Sequence, residues 1–279
     1  MSPPAPSLSK GSWVRKLMKI PRHLFYYEFL GTALLILFGL SFIILDFGSG
    51  SPIVNWIPNA GLRRLLTGFL FGSTGGLIAL SAVGKNSGAH INPVVSLAFW
   101  MCGKMSKGHA FGYIVAQLIG AIVGALPLLF WGQIGASVEY GATFPGSGYG
   151  VWLAALGEVI TTFCLIVGLF FFISHKRLKG FTPLLFPFLY ALMVFLEAPV
   201  SGTSTNPARS LGPAVVAWEW QAWWVYWVGP VLGTLAAVTA HKLRLLGKLE
   251  LEVAKLYHFD HDPFRVFKGN LPPGDRADC

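Results

Sequence analysis

Long apolar segments recur along the chain and are separated by short polar connections. A helix needs about 20 mostly apolar residues to cross a bilayer, and roughly 17–25 is usual. The segment at 159–174 is lengthened by the apolar stretch 151–157, which precedes Glu158. The pattern therefore predicts an all-α membrane protein with six transmembrane helices, built on the apolar segments 29–45, 65–83, 110–134, 151–174, 181–196 and 220–240.

A ten-residue pattern of small residues followed by Asn-Pro occurs twice, at 87–96 and at 201–210. Proline suits the first turn of a helix, where its missing N–H is not needed, and the preceding asparagine can cap that helix. Each copy therefore predicts a half-helix that begins inside the membrane, one at Asn92 and one at Asn206. Two broken helices in corresponding positions indicate a solute path near the bilayer midplane.

The repeat extends beyond these loops, because Glu28 opens the first span and Glu158 lies in the fourth. We expect one repeat at 24–134 and a second at 135–244, each with three spans and one half-helix. With three spans per repeat the second copy must be inverted, so the two half-helices enter from opposite faces and meet. A basic tail at 1–23 precedes the repeats, and a second tail at 245–279 follows them.

Basic residues are unevenly distributed among the connections. All 21 Lys and Arg except Arg63, Arg64 and Arg209 fall on the side of the membrane that holds the N-terminus. The positive-inside rule therefore predicts that both termini are cytoplasmic, in a multi-pass protein of the plasma or inner membrane. The net charge of +9 reflects this orientation and does not indicate nucleic-acid binding.

The carboxylates Glu28 and Glu158 need partners, since a charge within a span costs about 2.5–3.5 kcal/mol on insertion scales. The non-helical loops 88–91 and 202–205 carry backbone N–H groups that need acceptors. We expect each carboxylate to accept hydrogen bonds from one loop, a supporting role favoured over proton transfer.

Composition excludes several classes of function. Hydrophobic residues make up 54% of the chain and charged residues only 12%, against about a quarter charged in a soluble domain. The spans contain no nucleophile–base pair and no plausible metal cluster, so we predict neither an enzyme nor a cofactor. His258, Asp260, His261 and Asp262 have metal-ligand composition, but their charged, Pro-bearing setting predicts a solvated tail.

Taken together, these motifs resemble those of the aquaporins, members of the major intrinsic protein family, over about residues 24–244. The resemblance implies the inverted repeat of the aquaporin fold and a passive channel. It also implies a homotetramer with one pore per subunit. Val94 departs from the alanine that usually follows the first Asn-Pro of the family. The matching positions are Ser87 to Ser96, Ser201 to Ser210 with Arg209, Glu28, Glu158, Tyr113, Gln117, Gly120, and Trp227 to Pro230.

Two half-helices that meet at the midplane favour the passage of neutral solutes. Each presents about +0.5 charge at its N-terminus, which repels cations. The amides of Asn92 and Asn206, in the motifs Asn92-Pro93-Val94 and Asn206-Pro207-Ala208, should donate hydrogen bonds to one passing water. A water oriented in this way cannot readily relay a proton. We expect a ladder of acceptor carbonyls from Gly88, Ala89, His90, Gly202, Thr203 and Ser204.

The resemblance also implies that four positions form a selectivity filter at the outer constriction of the pore. Counting from the two asparagines assigns them to Gly72, Val194, Thr203 and Arg209. A shift of one residue would replace Gly72 with Phe71, and this alternative remains open. With Gly72, the filter is wide and partly apolar, which favours glycerol, urea or neutral metalloid acids, alone or alongside water.

A secondary transporter is the alternative, because such proteins also use inverted repeats and broken helices. A transporter needs carboxylates near the site to bind Na⁺ or H⁺, and neither loop contains one. The sequence therefore favours the passive channel, with the lipid bilayer and small uncharged solutes as its partners.

Overall fold

The computed structural model describes residues 21–264 and 266–267, and this part of the chain is helical without strands. Residues 1–20 of the predicted N-terminal tail and 268–279 of the predicted C-terminal tail lie outside the described residues. The α-helices are α1 Arg22–Phe47, α2 Pro52–Trp56, α3 Ala60–Leu80, α4 Ala82–Ser87, α5 Pro93–Met101, α6 Lys107–Ala125, α7 Gly132–Ala136, α8 Val151–Ser174, α9 Thr182–Ser201, α10 Pro207–Ala217 and α11 Val225–Lys242. Short 3₁₀ turns lie at Leu126–Trp131, Glu139–Gly141 and Lys179–Phe181.

The predicted all-α architecture is confirmed. The described residues form six long helices, the two helices α5 and α10 that follow the Asn-Pro motifs, and three helices of five or six residues. In each half, two long helices precede a short one and a third long helix follows it: α1, α3, α5 and α6, then α8, α9, α10 and α11. Within the described part of the chain, four segments are long and apolar enough to cross a membrane by length and composition, at Arg22–Phe47, Lys107–Ala136, Val151–Ser174 and Lys179–Ser201. Helices α3 and α11, of 21 and 18 residues, complete the six.

Glycines hold the long helices at close range. An added Cβ at Gly72 of α3 would lie 2.3 Å from the Phe186 carbonyl of α9, and one at Gly124 of α6 would lie 2.3 Å from the Ala33 carbonyl of α1. Gly233 of α11 approaches the backbone of α8 in the same way. Between membrane helices, where lipid supplies little hydrophobic driving force, such close contacts are a main source of stability.

The outer surface of the bundle is apolar. Phe130 is 94% exposed, Trp152 75% and Leu77 66%, and similar side chains occur along every long helix. Exposed apolar surface of this extent requires a non-aqueous neighbour, and the chain is accordingly a multi-pass membrane protein.

The beginning of α1, the end of α3 and the segment after α11 lie on one face, which we call the terminal face. The His23 ring is 4.9 Å from the Phe264 ring, and His258 Nε2 donates to the Leu80 carbonyl at 3.0 Å. Lys179 forms a 3.6 Å salt bridge with Glu252 on the same face. The opposite face carries Arg63, at the start of α3.

The expectation of a solvated C-terminal tail is wrong for most of the stretch 251–256, whereas Asp260 is exposed and His258, His261 and Asp262 are half-buried. Leu251, Val253, Ala254, Lys255 and Leu256 are all buried, with Ala254 and Lys255 fully inaccessible. The cause is hydrophobic burial, since four of these five residues are apolar and the segment covers the terminal face. The described residues contain no group of three or more His, Cys, Asp or Glu placed to hold a metal ion.

Candidate functional site

Each half-helix begins at its Asn-Pro motif. Asn92 precedes α5 in extended conformation, and its Oδ1 accepts a hydrogen bond from the Val94 N–H at 3.0 Å. Asn206 does the same for α10, accepting from Ala208 at 3.0 Å and from Arg209 at 3.3 Å. Pro93 and Pro207 occupy the first helical position, where no N–H is needed. These caps orient both asparagine side chains at the helix ends.

The two asparagines also join the two halves. Asn92 Nδ2 donates to the Thr205 carbonyl at 3.0 Å, and Asn206 Nδ2 donates to the Ile91 carbonyl at 3.0 Å. A side-chain amide has two N–H donors. Each asparagine therefore keeps a second donor after the link to the other half has been made.

Both loops adopt the same unusual backbone. The φ angle is +88° at Gly88, +56° at Ala89 and +43° at Ile91, and the corresponding Gly202, Thr203 and Thr205 have φ of +87°, +52° and +53°. Non-glycine residues rarely occupy this region, and each costs of order 1–3 kcal/mol. Such a loop persists only when the surrounding structure holds it.

The two buried carboxylates hold these loops. Glu28 accepts from the N–H groups of His90 at 3.0 Å and Ile91 at 2.7 Å. Glu158 accepts from those of Ser204 at 2.6 Å and Thr205 at 2.8 Å. One carboxylate thus satisfies two adjacent buried donors in each half, with both of its oxygens engaged.

A pair of tyrosines also supports the loops, a role that the sequence analysis missed. Tyr113 donates to the Ser87 carbonyl at 2.7 Å, and Tyr226 donates to the Ser201 carbonyl at 2.8 Å. Tyr226 is buried, although it lies in a tryptophan-rich stretch typical of the membrane interface. Aligning the two halves from their Asn-Pro motifs pairs these tyrosines only after a shift of one residue, because Tyr113 lies 21 residues after Asn92 and Tyr226 lies 20 after Asn206.

A cavity lies between the half-helices. Its volume is about 40 Å³, which is enough to hold water. Asn92 and Asn206 both line it, together with Leu35, Phe71, Gly72, Gly75, His90, Ile91, Val95, Leu165, Phe186, Tyr190 and Leu256. The wall is thus largely apolar, with the asparagine amides among its few polar groups.

The predicted ladder carbonyls differ in their partners. The Gly88 carbonyl accepts from the Leu256 N–H at 3.0 Å, and the Ser204 carbonyl accepts from Thr205 Oγ1 at 2.7 Å. Within the described chain, the carbonyls of Ala89, His90, Gly202 and Thr203 accept no such hydrogen bond from a protein N–H or O–H group. These four carbonyls are therefore available to accept hydrogen bonds from water or solute.

The four predicted filter residues differ in their relation to this cavity. Gly72 lines the cavity beside Phe71, but Val194, Thr203 and Arg209 are absent from its described lining. Arg209 is 4% exposed, and its Nη1 donates to the Gly141 carbonyl at 2.7 Å. Thr203 Oγ1 donates to Glu197, a residue of α9 outside the predicted filter, and the second oxygen of Glu197 is buried without a described partner.

Val94 is 1% exposed, so the extra bulk relative to alanine is accommodated in the core. His90 is also buried: its Nε2 donates to the Ala254 carbonyl at 2.9 Å, and its Nδ1 pairs with Ser96 Oγ at 3.0 Å. Both ring nitrogens therefore have fixed partners, one of them in the C-terminal segment.

Comparison with known proteins gives consistent results. The chain is 33% identical over 254 residues to the lens fiber major intrinsic protein of Gallus gallus, covering 89% of this chain and 91% of that protein. It is 31% identical over 251 residues to aquaporin-4 of Mus musculus, covering 87% and 72%. It is 34% identical over 227 residues to aquaporin NIP1-1 of Zea mays, covering 80% and 78%.

The fold is shared with a solved structure. The aquaglyceroporin from Plasmodium falciparum superposes with a TM-score of 0.62 at 20% identity, covering 82% of this chain and 95% of that one. The family model described as major intrinsic protein matches residues 18–241. On this match and on the relatives above, the chain belongs to the major intrinsic protein family.

Proposed function

We propose that this protein is a passive transmembrane channel for water and small uncharged solutes. The observation that carries the proposal is the pair Asn92 and Asn206, which line one cavity at the ends of two half-helices and keep one amide donor each. The half-helix N-termini add positive potential there, which repels cations. A water held by both amides accepts two hydrogen bonds and so cannot readily accept a proton.

The outer filter is proposed at Arg209, Thr203 and Val194, with Gly72 as the contribution of α3. The Gly141 carbonyl orients the Arg209 guanidinium, whose remaining N–H groups can donate to solute oxygens. With no bulky side chain at Gly72 or Val194, the opening suits glycerol, urea or neutral metalloid acids alongside water. No step requires covalent chemistry or a cofactor.

The terminal face is proposed to be cytoplasmic, in the plasma or inner membrane, because nearly all Lys and Arg lie on that side of the predicted topology. Epitope tags at both termini should bind antibody only after the cells are permeabilised. Binding of either tag on intact cells would contradict this orientation.

We propose a homotetramer, on the basis of the family resemblance and the apolar outer surface of the bundle. Native mass spectrometry of the detergent-extracted protein should give a fourfold mass. A purely monomeric species in a detergent that preserves flux would contradict the tetramer.

The function is tested by stopped-flow light scattering on proteoliposomes, with osmotic water flux measured beside glycerol and urea flux. A channel gives flux that is linear in the gradient with a low activation energy. Saturable flux coupled to a Na⁺ or H⁺ gradient would instead indicate the transporter. Fast water without glycerol or urea would place Phe71 rather than Gly72 in the filter.

Arg209→Ala is predicted to raise glycerol permeability severalfold and to weaken cation exclusion, since it removes a fixed positive charge and a bulky side chain. Permeability and cation leak are measured in the same vesicles. The control is Arg63→Ala, because Arg63 also donates to a backbone carbonyl, that of Ile57 at 2.6 Å, on the same face. Equal flux and selectivity in the two variants would remove Arg209 from the filter.

A further inference from the structure

The C-terminal segment folds back over the terminal face, where the path between the half-helices would open. We define this segment as residues 249–264 with 266–267, the described residues that follow the turn after α11. Its buried side chains include Leu251, Val253, Lys255, Leu256 and Phe267. A segment with so many buried side chains is docked on the bundle and is not a free tail.

The docking contacts fall on the first Asn-Pro loop. The Leu256 N–H donates to the Gly88 carbonyl at 3.0 Å, and the Ala254 carbonyl accepts from His90 Nε2 at 2.9 Å. Gly88 is fitted to this contact, since an added Cβ would lie 3.0 Å from the Ala254 carbonyl. The segment therefore occupies two polar groups of the loop that positions Asn92.

Lys255 anchors the segment. Its Nζ donates to the Lys85 carbonyl at 2.7 Å and to the His261 carbonyl at 2.6 Å, and it lies 4.7 Å from the centre of the Phe267 ring. The side chain is fully inaccessible to solvent. Through these three partners Lys255 binds the segment both to the end of α4 and to itself.

Leu256 reaches the conducting path, because it lines the same cavity as Asn92 and Asn206. A leucine side chain offers no hydrogen bond to water, and its N–H has taken the Gly88 carbonyl, an expected acceptor of the water ladder. A single-file water chain needs hydrogen-bond partners along its length. When the segment is docked, the hydrogen-bond partners of the water chain are interrupted at Leu256.

We propose that the C-terminal segment is an autoinhibitory plug, with Leu256 as its pore-blocking residue and Lys255 as its anchor. The inference rests on the proposed channel function. In the docked state the path is closed at the terminal face, and release of the segment opens it. Permeability is then set by the fraction of channels whose segment is undocked.

The test compares the full-length protein with Ala254→Asp in proteoliposomes. Ala254 is fully buried, so an aspartate there must either be desolvated or expel the segment. The control is Pro263→Asp, which adds the same charge at an exposed position of the same segment. Two quantities are measured: tryptic cleavage after Lys255, read by mass spectrometry, and the fluxes of water and glycerol.

Cleavage and flux should both rise in Ala254→Asp and neither in Pro263→Asp. We expect flux to rise about tenfold or more, because docking favoured tenfold leaves about one channel in ten open. Greater cleavage with flux equal to that of a conducting wild type would overturn the plug. Greater cleavage with no flux in either protein would overturn the proposed channel function instead.

Leu256→Ala keeps the test decisive if Ala254→Asp fails to fold. It retains the backbone hydrogen bond to Gly88 and shortens only the side chain in the cavity. Flux should rise while tryptic protection of Lys255 persists. An unchanged flux in this variant would remove Leu256 from the block.

Discussion

At the scale of single residues, two carboxylates stabilise two strained loops. Glu28 and Glu158 are fully buried, and each accepts two adjacent backbone N–H groups. Those donors belong to loops whose left-handed backbone angles would otherwise be costly. Each carboxylate is therefore a positioning residue, acting on the asparagine that ends its loop.

Glu158→Gln is predicted to destabilise the protein by about 1–3 kcal/mol, the cost of an unsatisfied buried donor. A glutamine offers one acceptor oxygen, and its NH₂ group would face the second N–H. The unfolding temperature in detergent and the water flux in proteoliposomes should both fall. The matched control is Glu252→Gln, because the Glu252 side chain is 69% exposed and its salt bridge contributes little. Equal stability of the two variants would contradict the supporting role.

At the scale of elements, glycine contacts decide how closely α3 and α9 approach. Gly68, Gly72 and Gly76 succeed one another on one face of α3, and each lies against a carbonyl of α9. This packing explains the glycine at position 72 without reference to a filter. The sequence spacing that suggested a filter role also fits a helix interface.

Gly72→Ala is predicted to destabilise the bundle by about 1–3 kcal/mol, as overpacking does, because its Cβ would lie 2.3 Å from the Phe186 carbonyl. Gly75→Ala on the same helix is the control, since its Cβ would meet nothing closer than 4.0 Å. Unfolding temperatures of both variants are compared in the same detergent. Equal values would mean that α3 and α9 are not tightly packed at Gly72.

At the scale of the whole molecule, the C-terminal segment docks on the bundle through Lys255, whose charge depends on pH. Burial lowers the pKa of Lys255 from about 10.5 to about 8, Asp262 opposes this shift and Lys85 adds to it. The protonated form therefore favours the undocked segment. Docking is strongest above about pH 10.5, the pKa of lysine in the undocked segment. It weakens as the pH falls from there to about 8 and is constant at lower pH.

Water flux is accordingly predicted to fall as the pH is raised from 7.5 to about 9.5, and Lys255→Met should abolish this response. The other titratable groups near Lys255 are Lys85 of α4, His90 of the first Asn-Pro loop, and His258, His261 and Asp262 of the segment. An ordinary histidine titrates below this range, near pH 6.5. A decline in flux that persists in Lys255→Met would assign the response to another group.

The sequence determined the local features because their physics is local. Apolar length predicts the long helices, and the capping asparagine followed by proline starts α5 and α10 whatever surrounds them. The repeat of Glu28 at Glu158 anticipated the hydrogen bonds to the loops, since a carboxylate buried in a span needs donors. The family could be inferred from the same motifs.

Only the tertiary structure decided which distant groups meet. The amide of Asn92 is linked to Thr205 by packing of the two halves, and the packing role of Gly72 depends on the path of α9. The C-terminal segment looked polar enough to be solvated, yet its apolar positions match a surface formed by α4 and the first Asn-Pro loop. Contacts so far apart along the chain depend on assembled surfaces, which no local pattern encodes.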